Sequence, residues 1–130
     1  MLRRRGNAVD AAIATNLALA VAYPHMCGVG GDLLAMVWDA GTLTGLVSAG
    51  RLPVAAALPA DGVPQRGVGS ATVPGAPAGW RALARRFGTR PLAELARPAV
   101  RLAREGVERS PGLARMTEWS AGLQIGRAHV

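Results

Sequence analysis

Residues 8–22 carry apolar side chains at helical spacing: Val9, Ile13, Leu17 and Val21 recur every four residues, with Ala12 and Ala20 beside them. Asn7 is a good N-cap, and Asp10 stands in the first turn, where a negative charge favours the positive helix end. A helix Ala8–Ala22 is therefore predicted, stopped by Pro24. A glycine-rich loop, Pro24 to Asp32, follows. Leu33 to Trp38 is apolar at successive positions, which predicts a strand buried on both faces between layers. Asp39-Ala40-Gly41 reads as a hairpin turn and Thr42 to Ser48 as the return strand.

From Ala49 to Pro77 the chain reads as loop, punctuated by Pro53, Pro59, Pro64, Pro74 and Pro77. A loop this long is usually functional or draped over other structure. Ala78 to Phe87 is predicted helical, closed by Gly88 as a C-cap. Pro91 opens a further helix with apolar positions at Leu92, Leu95, Val100 and Leu102; Pro98 is expected to break it in two, and Gly106 ends it. Ser110-Pro111 has the N-cap, N1 pattern of a short last helix. There is no internal repeat. A helix, a hairpin, a long loop and then helices make an α+β chain.

Half of the 130 residues are hydrophobic, enough for a core, and only five are aromatic. Ala and Gly thus carry much of the packing. The net charge of +7 raises nucleic-acid binding. Against it, all fifteen basic residues are Arg, a pattern that fits GC-rich coding, and they are scattered, with Arg3-Arg4-Arg5 the one run. No aromatic residues interleave to stack bases, so no nucleic-acid partner is expected. The single Cys27 excludes an internal disulfide. The apolar stretch behind the basic N-terminus carries Asn7, Asp10 and Asn16, so neither a signal peptide nor a membrane span is predicted there. The last six residues, Ile125 to Val130, translate a sequence that resembles a common sequencing adapter. They are expected to be a non-native tail, with residues 1–124 the native region.

Candidate chemistry is sparse. A phosphate-cradling reading of Gly28, Gly30 and Gly31 needs a strand before the loop and a helix after it, and here the order is reversed. His25 and Cys27 fit either a nucleophile pair or a metal site, or plain packing in a loop; no carboxylate cluster joins them, which favours packing. Asp10 and Asp32 fit a helix start and a loop turn. Arg51, just past the second strand, is either a surface arginine or a planar fork for a carboxylate. No metal and no cofactor are expected.

Four segments resemble one family in order and spacing. Gly6 to Ala14 is similar to the GNAVDAA helix start of γ-glutamyltranspeptidases, and Pro24 to Asp32 to their PHMSGIGGGG loop, with Cys27 where Ser is usual. Val73 to Gly79 resembles VPGTVAG, and Phe87 to Gly106 resembles YGxLPWAELVxPAIRLAREG. The resemblance covers about residues 2–116. It implies part of an N-terminal-nucleophile hydrolase: a four-layer αββα sandwich, cleaved autocatalytically into large and small subunits. The small subunit's new N-terminal Thr attacks a γ-glutamyl amide such as glutathione, and the acyl group passes to water or an amino acid.

Within that frame this chain matches the early large subunit. The catalytic Thr is expected downstream, the small subunit of the same precursor is the expected partner, and a segment ahead of Gly6 is expected to be missing. Members of the family carry an REMAP-like segment whose Arg grips the substrate carboxylate. Here the segment is Gly50-Arg51-Leu52-Pro53, and aligning the prolines puts Ala49 at that Arg position. Arg51 is thus displaced by two and is the substrate-binding candidate. The departure resembles the SGRAP form of divergent members, some of which look like other amidohydrolases or acylases. A small basic binding module, with no enzyme activity, is the alternative from another class.

Overall fold

A computed structural model describes residues 6–52, 60, 62–64 and 68–121. Its elements are α1 (Ala8–Ala22), β1 (Leu33–Asp39), β2 (Thr42–Ser48), a 3-10 turn (Val68–Ser70), α2 (Ala76–Phe87), α3 (Leu92–Glu105) and α4 (Pro111–Ser120). The α+β class is as expected. The tail at 125–130 lies outside the described residues, as does part of the long loop.

At the start of α1, Asn7 and Asp10 cap each other. The Asn7 side chain accepts from the Asp10 backbone N–H at 2.9 Å, and the Asp10 carboxylate accepts from the Asn7 backbone N–H at 3.0 Å. Asp10 does more than the sequence suggests, because it is completely buried. Its carboxylate also accepts from the Thr89 hydroxyl and backbone N–H and from the Arg90 backbone N–H, at the turn between α2 and α3. The Asn7 side chain donates to the Phe87 carbonyl at 2.6 Å. A single carboxylate therefore fastens the first helix to the turn of a helical pair about 80 residues later. Gly88 belongs to the same joint. It ends α2 in an extended conformation rather than the left-handed one expected of a C-cap glycine. Its value is space, since a Cβ would lie 2.6 Å from the Ala84 carbonyl oxygen and 3.1 Å from the Asp10 carboxylate.

Around this joint Ile13, Ala14, Trp80, Leu83 and Leu95 form the core. The buried stripe of α1 is Asp10, Ile13, Ala14 and, partly, Leu17; the predicted Ala12 edge is exposed. Trp80 brings its indole N–H to the Asn16 side chain at 2.8 Å, which satisfies the polar handle of a buried aromatic. In α2 the helix starts two residues earlier than predicted, because Pro77 sits in the first turn, where its missing N–H has no partner to lose. In α3, Pro98 lies inside one continuous helix, contrary to the expected break. An interior proline costs about 3 kcal/mol, and burial of Leu95 and Ala99 on either side of it works against that cost. Val100, expected inside, is exposed, and Ala99 holds the inward position.

The hairpin closes through Ala40 and Gly41, both at positive φ, as a two-residue turn of the right-twisting kind requires. Leu33, Ala35, Val37 and Leu46 face the helices and pack on the core. The opposite face carries Leu34 opposite Val47 and Trp38 opposite Leu43, with Met36 between them. These are 60–79% exposed. The expectation of a strand buried on both faces is thus corrected for this chain: one helical layer covers one face, and none of the described residues covers the other. No described helix is long and apolar enough to cross a membrane.

Burial opposes ionisation of Asp10, but the hydrogen bonds from Thr89, Asn7 and Arg90 prevail and hold its pKa below the usual carboxylate value. A folded-state pKa below the unfolded one stabilises the fold at higher pH. That contribution is complete above about pH 5 and fades as pH falls below about 4. Asp10→Asn should lower stability at neutral pH and flatten this acid limb. Helical circular dichroism followed through an acid titration of both proteins checks it.

Candidate functional site

Three segments meet where β1 begins and β2 ends. The glycine-rich loop arrives from α1, which Tyr23 ends as C-cap just before Pro24. Within the loop, the Gly31 N–H donates to the Gly28 carbonyl at 3.3 Å. The Gly31 carbonyl then accepts from Gly75 N–H at 3.1 Å and Ala76 N–H at 2.8 Å. A loop carbonyl thus caps the N-terminus of α2, which has no side-chain cap of its own. The loop runs from α1 into β1, so it lacks the strand–loop–helix order that a phosphate cradle needs.

The second segment is the end of β2. The Ser48 hydroxyl donates to the Gly75 carbonyl at 2.8 Å, and the Gly50 N–H donates to Asp32 Oδ1 at 2.8 Å. The third segment is Thr72 to Ala76, which runs beside the β2 end so that Val73 N–H donates to the Arg51 carbonyl at 2.9 Å. Close approach explains the glycines. A Cβ on Gly75 would collide with the Ser48 carbonyl oxygen, and one on Gly50 with the Val73 carbonyl oxygen. On Gly79 it would lie 2.7 Å from the Leu33 side chain, so α2 rests directly on the sheet.

Arg51 emerges from this corner with an exposed side chain and, among the described residues, no ion pair. Asp32 is also exposed and is committed through one oxygen to Gly50. His25 and Cys27 do not form a reactive pair. The Cys27 thiol lies 3.5 Å from the Tyr23 carbonyl, and the His25 ring packs against Tyr23 with centroids 4.1 Å apart. No group of three His, Cys, Asp or Glu residues able to hold a metal occurs among the described residues. The contacts of Ser48 and Gly50 escaped the sequence reading. The hairpin register carries their signal, since pairing Leu33 with Ser48 brings Asp32 beside the residues just after β2.

The family model described as gamma-glutamyltranspeptidase matches residues 1–126. The chain belongs to the γ-glutamyltranspeptidase family. It is 36% identical over 125 residues to the glutathione hydrolase-like YwrD proenzyme of Bacillus subtilis, covering 91% of this chain and 24% of that protein. Among solved structures, cephalosporin acylase from Bacillus halodurans is 39% identical with a TM-score of 0.86, over 96% of this chain and 25% of that one. The Helicobacter pylori γ-glutamyltranspeptidase is 30% identical with a TM-score of 0.81, over 93% of this chain and 38% of that one. The chain spans about a quarter of the length of the curated family member it matches in Bacillus subtilis. The helix start, the glycine loop, the Val73–Gly79 segment and the α2–α3 run that resemble the family are the parts that build the Asp10 joint and this corner.

Gly75→Ala should force the third segment off β2 and cost about 1–3 kcal/mol, as overpacking does. Gly30→Ala, with nothing within 4 Å of its Cβ position, should stay within about 0.5 kcal/mol of the parent. Denaturant midpoints of the two variants check the contrast.

Proposed function

We propose that these residues are the early large subunit of an N-terminal-nucleophile amide hydrolase or acyltransferase, with the nucleophilic Thr and the small subunit lying outside residues 1–130. The reading rests on one observation above the others: four family-like segments, in family order, build the Asp10 joint and the corner that carries Arg51. In the proposed reaction the Thr hydroxyl oxygen bonds to the amide carbonyl carbon and its proton passes to the Thr α-amine. The leaving amine takes that proton as the C–N bond breaks. Water or an amino acid then cleaves the resulting ester and frees the hydroxyl.

Arg51 is the group in this chain proposed to contact the substrate. Its planar fork suits a carboxylate on the acyl portion. A displacement of two along an extended chain keeps the side chain on the same face as the family's carboxylate-binding Arg. The Arg51 carbonyl, bonded to Val73 N–H, supports that extended course beyond Ser48. A γ-glutamyl amide such as glutathione is the leading substrate class. The shifted Arg and the similarity to a cephalosporin acylase favour a second reading, an acylase for other amides with an anionic acyl group.

Both readings place a carboxylate on Arg51, so Arg51→Ala in the full-length enzyme should cost about 1.5–3 kcal/mol in kcat/KM. Unchanged kcat/KM would make Arg51 a surface residue. Comparing γ-glutamyl-p-nitroanilide with glutaryl-p-nitroanilide, which lacks only the α-amino group, separates the two readings. The 130-residue chain alone should turn over neither compound above background.

A further inference from the structure

The ladder between β1 and β2 ends at the pair Leu33–Ser48. Beyond it the backbone of β2 loses its partner strand, yet the next residues do not drift. The Gly50 N–H donates to Asp32 Oδ1 at 2.8 Å, and the Arg51 carbonyl accepts from Val73 N–H at 2.9 Å. A side-chain carboxylate therefore does for Gly50 what a strand carbonyl would have done. Gly50 cannot be held by a side chain of its own, because a Cβ there would collide with the Val73 carbonyl oxygen and lie 2.5 Å from the Thr72 hydroxyl. Asp32 forms no ion pair with Arg51, so the two residues communicate through the Gly50 backbone rather than through charge.

We propose that Asp32 is a positioning residue for Arg51: by accepting the Gly50 N–H, its carboxylate fixes the direction in which Arg51 leaves the sheet toward the anionic group of the substrate. The proposal rests on the reading of Arg51 as the anion contact. It gives a role to the aspartate that ends the glycine-rich loop. The carboxylate sits one residue before β1, the place from which it reaches the amide two residues past β2. The oxygen that does this work must be an acceptor, but it need not be charged. Asparagine at position 32 offers the same oxygen, whereas alanine offers none.

The test uses the full-length enzyme and whichever of γ-glutamyl- and glutaryl-p-nitroanilide it hydrolyses better. Asp32→Ala should raise KM about tenfold with kcat within about twofold, the signature of a misaimed binding group. Asp32→Asn should restore KM to within about twofold of the parent. In an Arg51→Ala background, Asp32→Ala should bring no further loss, because the two substitutions remove one interaction. Asp32→Glu keeps the charge but moves the carboxylate by one methylene. It should give a smaller rise in KM that also vanishes in the Arg51→Ala background, and this arm stands if Asp32→Ala does not fold. The proposal is overturned if Asp32→Asn is as damaging as Asp32→Ala, or if Asp32→Ala leaves KM unchanged. A loss of equal size with and without Arg51 would also overturn it, by making Asp32 a structural residue. An effect of Arg51→Ala without one of Asp32→Ala removes the positioning role alone. No effect of Arg51→Ala removes the reading of Arg51 together with it.

Discussion

The fold depends on keeping one buried carboxylate ionised. Asp10 is buried, and an unpaired buried charge would be strongly destabilising. What makes it tolerable is a full set of donors drawn from two places: the N-cap of α1, and the Thr89–Arg90 turn that separates α2 from α3. The demand works in both directions. The carboxylate requires those amides, and the amides at a tight interhelical turn require an acceptor. These bonds, together with the packing of Ile13, Trp80, Leu83 and Leu95, set the three helices of the layer relative to one another.

The helical layer then sets the sheet. Gly79 lets α2 lie directly on Leu33 and Ser48, so the start of β1 and the end of β2 are fixed beneath the first turn of α2. From there the three strand-end segments share hydrogen bonds and leave little room for side chains between them. Arg51 leaves this joint with its side chain exposed to solvent. Among the described residues, none covers the other face of the hairpin. Leu34, Met36, Trp38, Leu43 and Val47 form an apolar surface that a stable monomer would seldom expose. A sandwich with a second sheet, as the family resemblance implies, would cover a face of this kind.

Much of this was legible in the sequence where local chemistry decides the outcome. The limits of α1, the return strand, the end of α2 and the Ser110 cap of α4 follow from caps, turns and prolines acting on their near neighbours. The failures lie where tertiary contacts override local rules. Pro98 continues a helix because its neighbours are packed on α1, and Gly88 is selected for its small size rather than for its backbone angles. Asp10 reads locally as a helix-start residue, and nothing nearby announces its bonds to Thr89 and Arg90. Arg51 could be nominated from its position and from the family pattern. The bonds that hold its backbone come from residues 32 and 73, which no local rule connects.

The cap that the glycine loop places on α2 also has a mechanical meaning. Glycine-rich loops are commonly the pliant parts of a protein, free to swing between conformations. Here both lone pairs of the Gly31 carbonyl are taken by the first amides of a helix. Swinging the loop would strip that helix end of its acceptor, at about 1–3 kcal/mol for each buried donor left without one. The most glycine-rich stretch of the chain is therefore no hinge at its C-terminal end. Moving Gly31 away from α2 means breaking both bonds, so the loop end and the helix start are tied to each other.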